Sequence, residues 1–350
     1  MSSFSASAQS TPTRHDADGR GTMSWQKRHP AAGFIVRRVA AGIVTLLVAS
    51  FLVFASVQIL PGDVASVVLG KNATPARVEA VRTDLDLNDP LPQRYLTFIT
   101  DVGTGHFGNS SAALAQGREL SVWSVIRTPL RNSLILAAIT VVLFVPLCLV
   151  LGTLSALRAG RAGDHAISVP ALVASAMPEF LVGTLLIVIF FTQLNLLPPV
   201  AEIGAGETPF THPDALILPM LTLLSVSLAL GIRLVRASML DVLRADYVRM
   251  ARLNGQPERR VVVRYALRNA LGPGIQAVAQ TMQYLLGGII ITESVFNYPG
   301  IGNKLVQAVS LRDIQEIGVI AMILAATYIV INILADLAVR LAVPKLRTSA

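Results

Sequence analysis

Side chains able to hold a metal, a proton or a nucleophile are sparse in this sequence, and most of them are scattered. The five histidines, His15, His29, His106, His165 and His212, show no metal-ligand spacing. The single cysteine, Cys148, lies inside an apolar run and has no intrachain partner. No Gly-x-x-x-x-Gly-Lys-Ser/Thr loop is present to cradle phosphates, and no combination of nucleophile and base is spelled out. Two features remain that are chemically costly where they stand. Glu179 and Glu293 lie inside apolar windows, where a carboxylate at mid-bilayer depth costs roughly 2.5–3.5 kcal/mol. Each is therefore expected to face protein or water, or to lie near an interface. For Glu179 the expectation is a structural hydrogen bond; for Glu293, late in its window, it is a pairing within a gate or a polar lining contact.

The second feature is basic. From Arg236 to about Gly274 the chain carries a dense arginine set around Asp246-Tyr247-Val248-Arg249-Met250-Ala251-Arg252-Leu253-Asn254-Gly255. Asn254-Gly255 supplies a residue able to take positive φ and end a helix, and Pro257 can start the next one. The segment reads as a short helix, a sharp turn and a second helix. Its exposed face would carry Arg249, Met250, Arg252 and Leu253, basic side chains mixed with apolar anchors. On charge alone the balance falls to a basic loop lying against lipid headgroups.

The elements that must position these residues follow from composition. Of 350 residues 53% are hydrophobic and only 14% charged, against about a quarter in a typical soluble domain, and the mean hydropathy is +0.60. A disordered chain is excluded, and so is a disulfide scaffold. The net charge of +8 would suggest a nucleic-acid surface in a soluble protein, but most of the excess basic charge lies between apolar stretches or just before the first. Six windows have the roughly 20 apolar residues needed to span about 30 Å of hydrocarbon: Phe34–Leu60, Asn132–Leu157, Ala166–Thr192, Ala215–Val235, Ile275–Phe296 and Ile317–Ala342. The fifth is the most polar, interrupted by Gln276, Gln280, Gln283 and Glu293. Pro146, Pro170, Pro178 and Pro219 predict kinks, and Gly287-Gly288 permits close backbone contact.

Orientation follows from basic residues, which concentrate in cytoplasmic loops. With the N-terminus inside, 20 Lys and Arg fall on the cytoplasmic side and 9 on the other. Both termini are thus expected to be cytoplasmic. The Ser/Thr/Asp/Gly-rich stretch from Met1 to about Gly21 is expected to be disordered, part of a leader and basic flank over 1–33, with Met23 as an alternative start. The connection 61–131 is too long for a bare loop and is expected to form a helical cap, with one helix starting at Thr74-Pro75 and another from Pro92 to about Val102. The cap either packs on the outer helix ends or offers a docking surface. Residues 132–342 hold the remaining spans, including the basic segment 236–274, and 343–350 form a cytoplasmic tail. The fold class is therefore an all-α integral membrane protein with six transmembrane helices.

At the basic segment the sequence resembles the permease subunit of binding-protein-dependent ABC importers, in their oligopeptide, dipeptide and nickel branch. Arg249, Met250 and Ala251 occupy the places of that family's Glu-Ala-Ala, and Gly255 occupies its glycine. The peptide branch typically reads like Asp246–Gly255 followed by an Arg-rich helix and Leu267-Arg268-Asn269-Ala270-Leu271. The resemblance extends to Arg37-Arg38, Leu60-Pro61-Gly62-Asp63, Asp89-Pro90-Leu91-Pro92-Gln93-Arg94-Tyr95, and Thr292-Glu293-Ser294-Val295-Phe296-Asn297-Tyr298-Pro299-Gly300-Ile301-Gly302.

This resemblance implies a non-catalytic transport subunit that binds no cofactor, with ATP and Mg held by two partner ATPase subunits. It implies a second homologous permease, an extracytoplasmic solute-binding protein and a multi-pass place in the inner or plasma membrane, in contact with lipid and not with nucleic acid. Asp246, Tyr247, Arg249, Met250, Ala251, Arg252, Leu253 and Gly255 would be the helix that couples to an ATPase. Glu293, Phe296, Asn297 and Glu179 are candidates for the pathway or its gate. Peptides are the expected solute, with nickel or another small solute as an alternative. An ion-gradient-driven secondary transporter is the competing class, but repeated halves and intramembrane acid and base sets are not evident.

Overall fold

The computed structural model describes residues 30–59, 64–69, 73–84, 87–204 and 206–342. The leader up to residue 29, the Leu60-Pro61-Gly62-Asp63 motif and the tail 343–350 lie outside them.

Long uninterrupted apolar runs give long helices, because in hydrocarbon each backbone N–H and C=O must be paired within its own segment. Helix α1 spans Pro30–Ile59 and lies against the last helix, where Arg38 pairs with Asp336 at 2.8 Å. The cap follows as α2 (Val64–Leu69), α3 (Pro75–Asp84), α4 (Leu91–Gly103) and α5 (Ser111–Ala115). Tyr95, Phe98 and Ile99 of α4 join Phe54 of α1 in one apolar cluster.

Helix α6 runs over Val122–Leu157, starting ten residues before the apolar window at Asn132. Its 36 residues are about 54 Å long, well beyond the roughly 30 Å hydrocarbon layer. The extra turns enter the cap, where Val122 and Ile126 complete the cluster around Phe54 and Phe98. Arg127 and Arg131 end the apolar window without ending the helix.

The third span departs from a straight helix. It is a pair, α7 (Ala162–Ala176) and α8 (Glu179–Ile187, continued by a π-turn over Val188–Gln193), bent by 108° at Met177-Pro178. Pro178 has no N–H to donate and drives Met177 into extended backbone, φ −95° and ψ 136°. Among the described residues there are five single helices long and apolar enough to span a membrane, and six spans when the bent pair is taken as one.

Helix α9 (Pro213–Leu243) is the centre of the bundle and packs on α6, α7, α8 and the fifth span. Small residues allow this approach: a Cβ on Gly231 would overlap Cys148 and Phe144, and one on Gly152 would overlap Val235. Its polar residue Thr222 is satisfied internally, donating to the Leu218 carbonyl at 2.9 Å. The short helices α10 (Asp246–Leu253) and α11 (Glu258–Arg260) lead through a π-turn, Val261–Leu267, into α12 (Arg268–Val295). Then come α13 (Ile301–Leu311) and α14 (Ile314–Ala342).

Counting crossings places the cap, the 194–212 connection and the turn at 296–300 on one side of the bundle. The α6–α7 turn and the hairpin α10–α11 share the other. The contacts agree: the Ala201 N–H donates to the Phe296 carbonyl at 2.8 Å, and the Gln315 amide donates to the Phe107 carbonyl at 3.1 Å.

Candidate coupling hairpin and buried carboxylates

Helix α10 begins at Asp246, whose negative charge suits a helix N-terminus. It ends in a Schellman turn. The Gln256 N–H donates to the Ala251 carbonyl at 3.2 Å and the Gly255 N–H to the Arg252 carbonyl at 3.0 Å, with Gly255 at φ +72°. Pro257 stands as the N-cap of α11, one place before the first helical residue. The inner face of the hairpin is Val248, Ala251 and Val261, packed with Val242, Leu243 and Tyr265. Its outer face carries Tyr247, Arg249, Met250 (55% exposed) and Leu253 (72% exposed). Arg252 is turned back and forms a two-point ion pair with Glu258, at 2.7 and 3.1 Å. That guanidinium holds the Glu258 carboxyl below its ordinary range. The hairpin is thus rigid within itself and uncovered outside.

The gate candidates are placed differently. Glu293 is fully buried, in the last turn of α12. Its carboxylate accepts from the Ser133 hydroxyl, from the Gly302 N–H at 2.7 Å and from the Asn303 N–H at 3.3 Å. Those two amides are orphan donors in the first turn of α13, so a carboxylate nine and ten residues upstream of them caps that helix. Ser133 also accepts the Ile301 N–H at 2.7 Å. Around this centre Tyr298 donates to the Asn132 carbonyl at 2.8 Å, and the Asn132 amide donates to the Pro299 carbonyl at 2.9 Å. Gly300 and Gly302 leave room for the carboxylate; a Cβ on either would overlap it. Phe296 is buried against Gly183 of α8, whereas Asn297 is exposed with φ +48°.

Glu179, the first residue of α8, lies at the bend and is only 4% exposed. The expected structural hydrogen bond is not formed by its Oε1, which has no partner among the described residues. The carboxylate stands over Gly288 of α12, where any Cβ would collide with it. The glutamate is therefore two turns from Phe296 along α12, and the hairpin is on the opposite side of the bundle.

Two more buried carboxylates carried no local signal. Asp313 accepts from the Ser110 hydroxyl, from the Ser111 and Ala112 N–H groups at 3.1 Å each, and from the Glu316 N–H at 3.0 Å, tying α5 to α14. Asp164 accepts from Arg236 at 2.6 and 2.9 Å, from Ser168 at 3.0 Å and from the Gly160 N–H at 2.9 Å. It binds α7 and the α6–α7 turn to α9. No three His, Cys, Asp or Glu side chains converge as a metal site among the described residues.

Comparison with known proteins decides what these parts belong to. Residues 148–348 match the model of the family described as binding-protein-dependent transport system inner membrane component, and residues 32–116 match the model of its N-terminal part. A probable peptide ABC transporter permease protein of Sinorhizobium fredii is 33% identical over 317 residues, covering 90% of this chain and 99% of that protein. The glutathione transport system permease protein GsiC of Pectobacterium atrosepticum is 34% identical over 304 residues, covering 87% and 95%. The chain belongs to the binding-protein-dependent transport permeases. It is a permease subunit of an ABC importer and a multi-pass membrane protein. Within this permease the Glu293 cluster falls in the Thr292–Gly302 motif, and its role there is to brace the α12–α13 turn. The partners that complete the cluster, Asn132 and Ser133 at the predicted start of the second span, would be suggested by sequence only as polar residues at an apolar window's edge.

Proposed function

We propose that this permease forms half of a pathway for peptides delivered by an extracytoplasmic binding protein, and that its hairpin α10–α11 seats in a groove of a cytoplasmic ATPase. A second homologous permease supplies the other half, and two ATPase subunits hold ATP and Mg. Both termini and the hairpin are cytoplasmic, in line with the excess of Lys and Arg on that side.

The observation that carries this reading is the division of labour in α10. Val248 and Ala251 anchor it to the π-turn before α12, while Tyr247, Met250 and Leu253 are exposed among the described residues. Apolar anchors beside Arg249 on a short rigid helix suit a partner groove, and headgroups alone would not select them. Because the π-turn runs directly into α12, a push on α10 is delivered to a spanning helix. Peptide as solute is supported by the relatives named a peptide permease and a glutathione permease, glutathione being itself a small peptide.

The test uses the whole importer in proteoliposomes. Leu253→Asp and Met250→Asp are expected to cut uptake by about tenfold or more while leaving the permease folded, since both side chains are exposed and neither belongs to the hairpin's buried cluster. Unchanged uptake in both variants would overturn the assignment.

A further inference from the structure

Helix α12 is surrounded on three sides, by α9, by α14 and by α6 with α8, and open on the fourth. From Gln276 to Gly287 this open side carries a polar line, and beyond it the same arc continues with the aliphatic Ile291. Gln276, Gln280, Tyr284 and Gly287 are exposed and lie within one arc of about 80° at 3.6 residues per turn. Neither glutamine nor the Tyr284 hydroxyl makes a hydrogen bond with a described residue. Gln283, just off this line, is satisfied by Asn332 and Tyr328 of α14. Among the described residues, and apart from its chain neighbours and its own helix backbone, no atom lies within 4 Å of where a Gly287 Cβ would stand.

Hydrocarbon is a poor cover for such a line, because an unpaired side-chain amide loses its hydrogen bonds to water and gains none from lipid tails. The contrast within the molecule is clear: the exposed residues of α1 include Val36, Val39, Ile43, Val44 and Leu47, and those of α6 include Leu134 and Val142, all aliphatic. Behind the polar line is the Glu179 carboxylate, over Gly288 and one helical turn from Tyr284, with Oε1 unpartnered.

We propose that Gln276, Gln280, Tyr284 and Gly287 form the solute-facing wall of the pathway, and that Glu179 receives the cationic amino group of the solute. The proposal rests on the peptide-import reading and deepens it. A primary amide offers both donor and acceptor, so it pairs with any peptide backbone whatever its side chains. From Gln276 to Gly287 the line is about 16 Å long, the reach of about five residues of extended peptide. A peptide with a free amino terminus brings the one group that the carboxylate lacks.

The test exploits Cys148, the only cysteine of the chain and fully buried. In the assembled importer, Gln280→Cys and Gly287→Cys are exposed to a membrane-impermeant cationic thiosulfonate, with Val142→Cys on the aliphatic face of α6 as control. Both stripe cysteines are expected to react at least about tenfold faster than the control, and to be protected by saturating tripeptide with its binding protein. Glu179→Gln is expected to reduce, by about fivefold or more, the preference for a free-amine tripeptide over its N-acetylated form, while ATP is still hydrolysed. Fast reaction only in the isolated permease, and slow reaction once assembled, would assign the stripe to the sister subunit and overturn the wall. An unchanged preference in Glu179→Gln would overturn the amine site. A wild-type importer that moves no peptide would sink the peptide reading instead, and the labelling rates would still decide the wall.

Discussion

The hairpin Asp246–Pro257 and the turn Asn297–Gly302 are both tight, glycine-containing corners next to α12, and they spend their residues in opposite ways. At the hairpin the apolar anchors face outward and the structure keeps only Val248, Ala251 and Val261 for itself. At the turn almost everything faces inward: Glu293, Tyr298, Ile301 and Asn303 are buried, and every donor in the first turn of α13 that Glu293 and Ser133 can reach is taken. One corner leaves its apolar side chains uncovered, as the proposed docking onto a partner requires, and the other holds its own shape. A helix moved from the hairpin side would therefore pivot against a fixed point on the cap side. The fixed side is also where Asp313 ties the cap to α14.

The comparison breaks most readily at Glu293. Replacing it with alanine leaves the Gly302 and Asn303 N–H groups and the Ser133 hydroxyl buried without an acceptor, an expected loss of about 3–5 kcal/mol. Glu293→Gln, which keeps one acceptor oxygen, is expected to lose about half of that. Thermal unfolding of the detergent-purified importer would check the order. Equal stability of wild type and Glu293→Ala would show that the turn is not the fixed point.

A smaller effect is expected at Asp164. Asparagine there keeps the shape and removes the charge that Arg236 meets at two points, an expected cost of about 2 kcal/mol because the arginine is partly solvated. The pair with Arg236→Gln tests whether the loss comes from this contact. A double mutant no less stable than Asp164→Asn alone would confirm coupling, and simple additivity would refute it.

Gly255→Ala addresses the hairpin itself. At φ +72° a Cβ costs about 1 kcal/mol, while nothing lies near enough to clash. The chain should fold, and ATP hydrolysis should persist while uptake per ATP falls. Gly255→Pro cannot adopt that φ at all and should uncouple more completely. Normal uptake per ATP in the proline variant would argue that the turn transmits nothing.

How much of this could be read from sequence depended on the range of the interaction. The spans could be read because twenty apolar residues are a local property, and so could the hairpin, whose Asn254-Gly255 and Pro257 are punctuation within a few positions. The bend at Pro178 was readable as a break but not as a 108° turn, since hydropathy carries no direction. The early start of α6 was hidden because Arg127 and Arg131 look like an end when only lipid burial is considered, whereas the cap buries the helix instead. The clamps were hidden altogether. Ser133 and Glu293 are 160 residues apart and Ser110 and Asp313 are 203 apart, so no periodicity joins them. Glu179 stands out in the sequence as a costly residue, but its lack of a partner among the described residues follows from its place over Gly288, which no local pattern specifies.

The smallest expected effect sharpens the contrast from the hairpin side. Arg252 depresses the Glu258 titration, so the pair's contribution is complete above the ordinary glutamate range and is lost as the pH falls through the lowered value of the folded protein. Both side chains are exposed, so solvent screens the pair. Glu258→Gln should shift the unfolding temperature near neutral pH very little, with the remaining difference vanishing in acid and in high salt. A large shift would mean that the hairpin depends on its own ion pair for rigidity more than on Val248, Ala251 and Val261. The division between an outward corner and an inward one would then have to be redrawn around electrostatics.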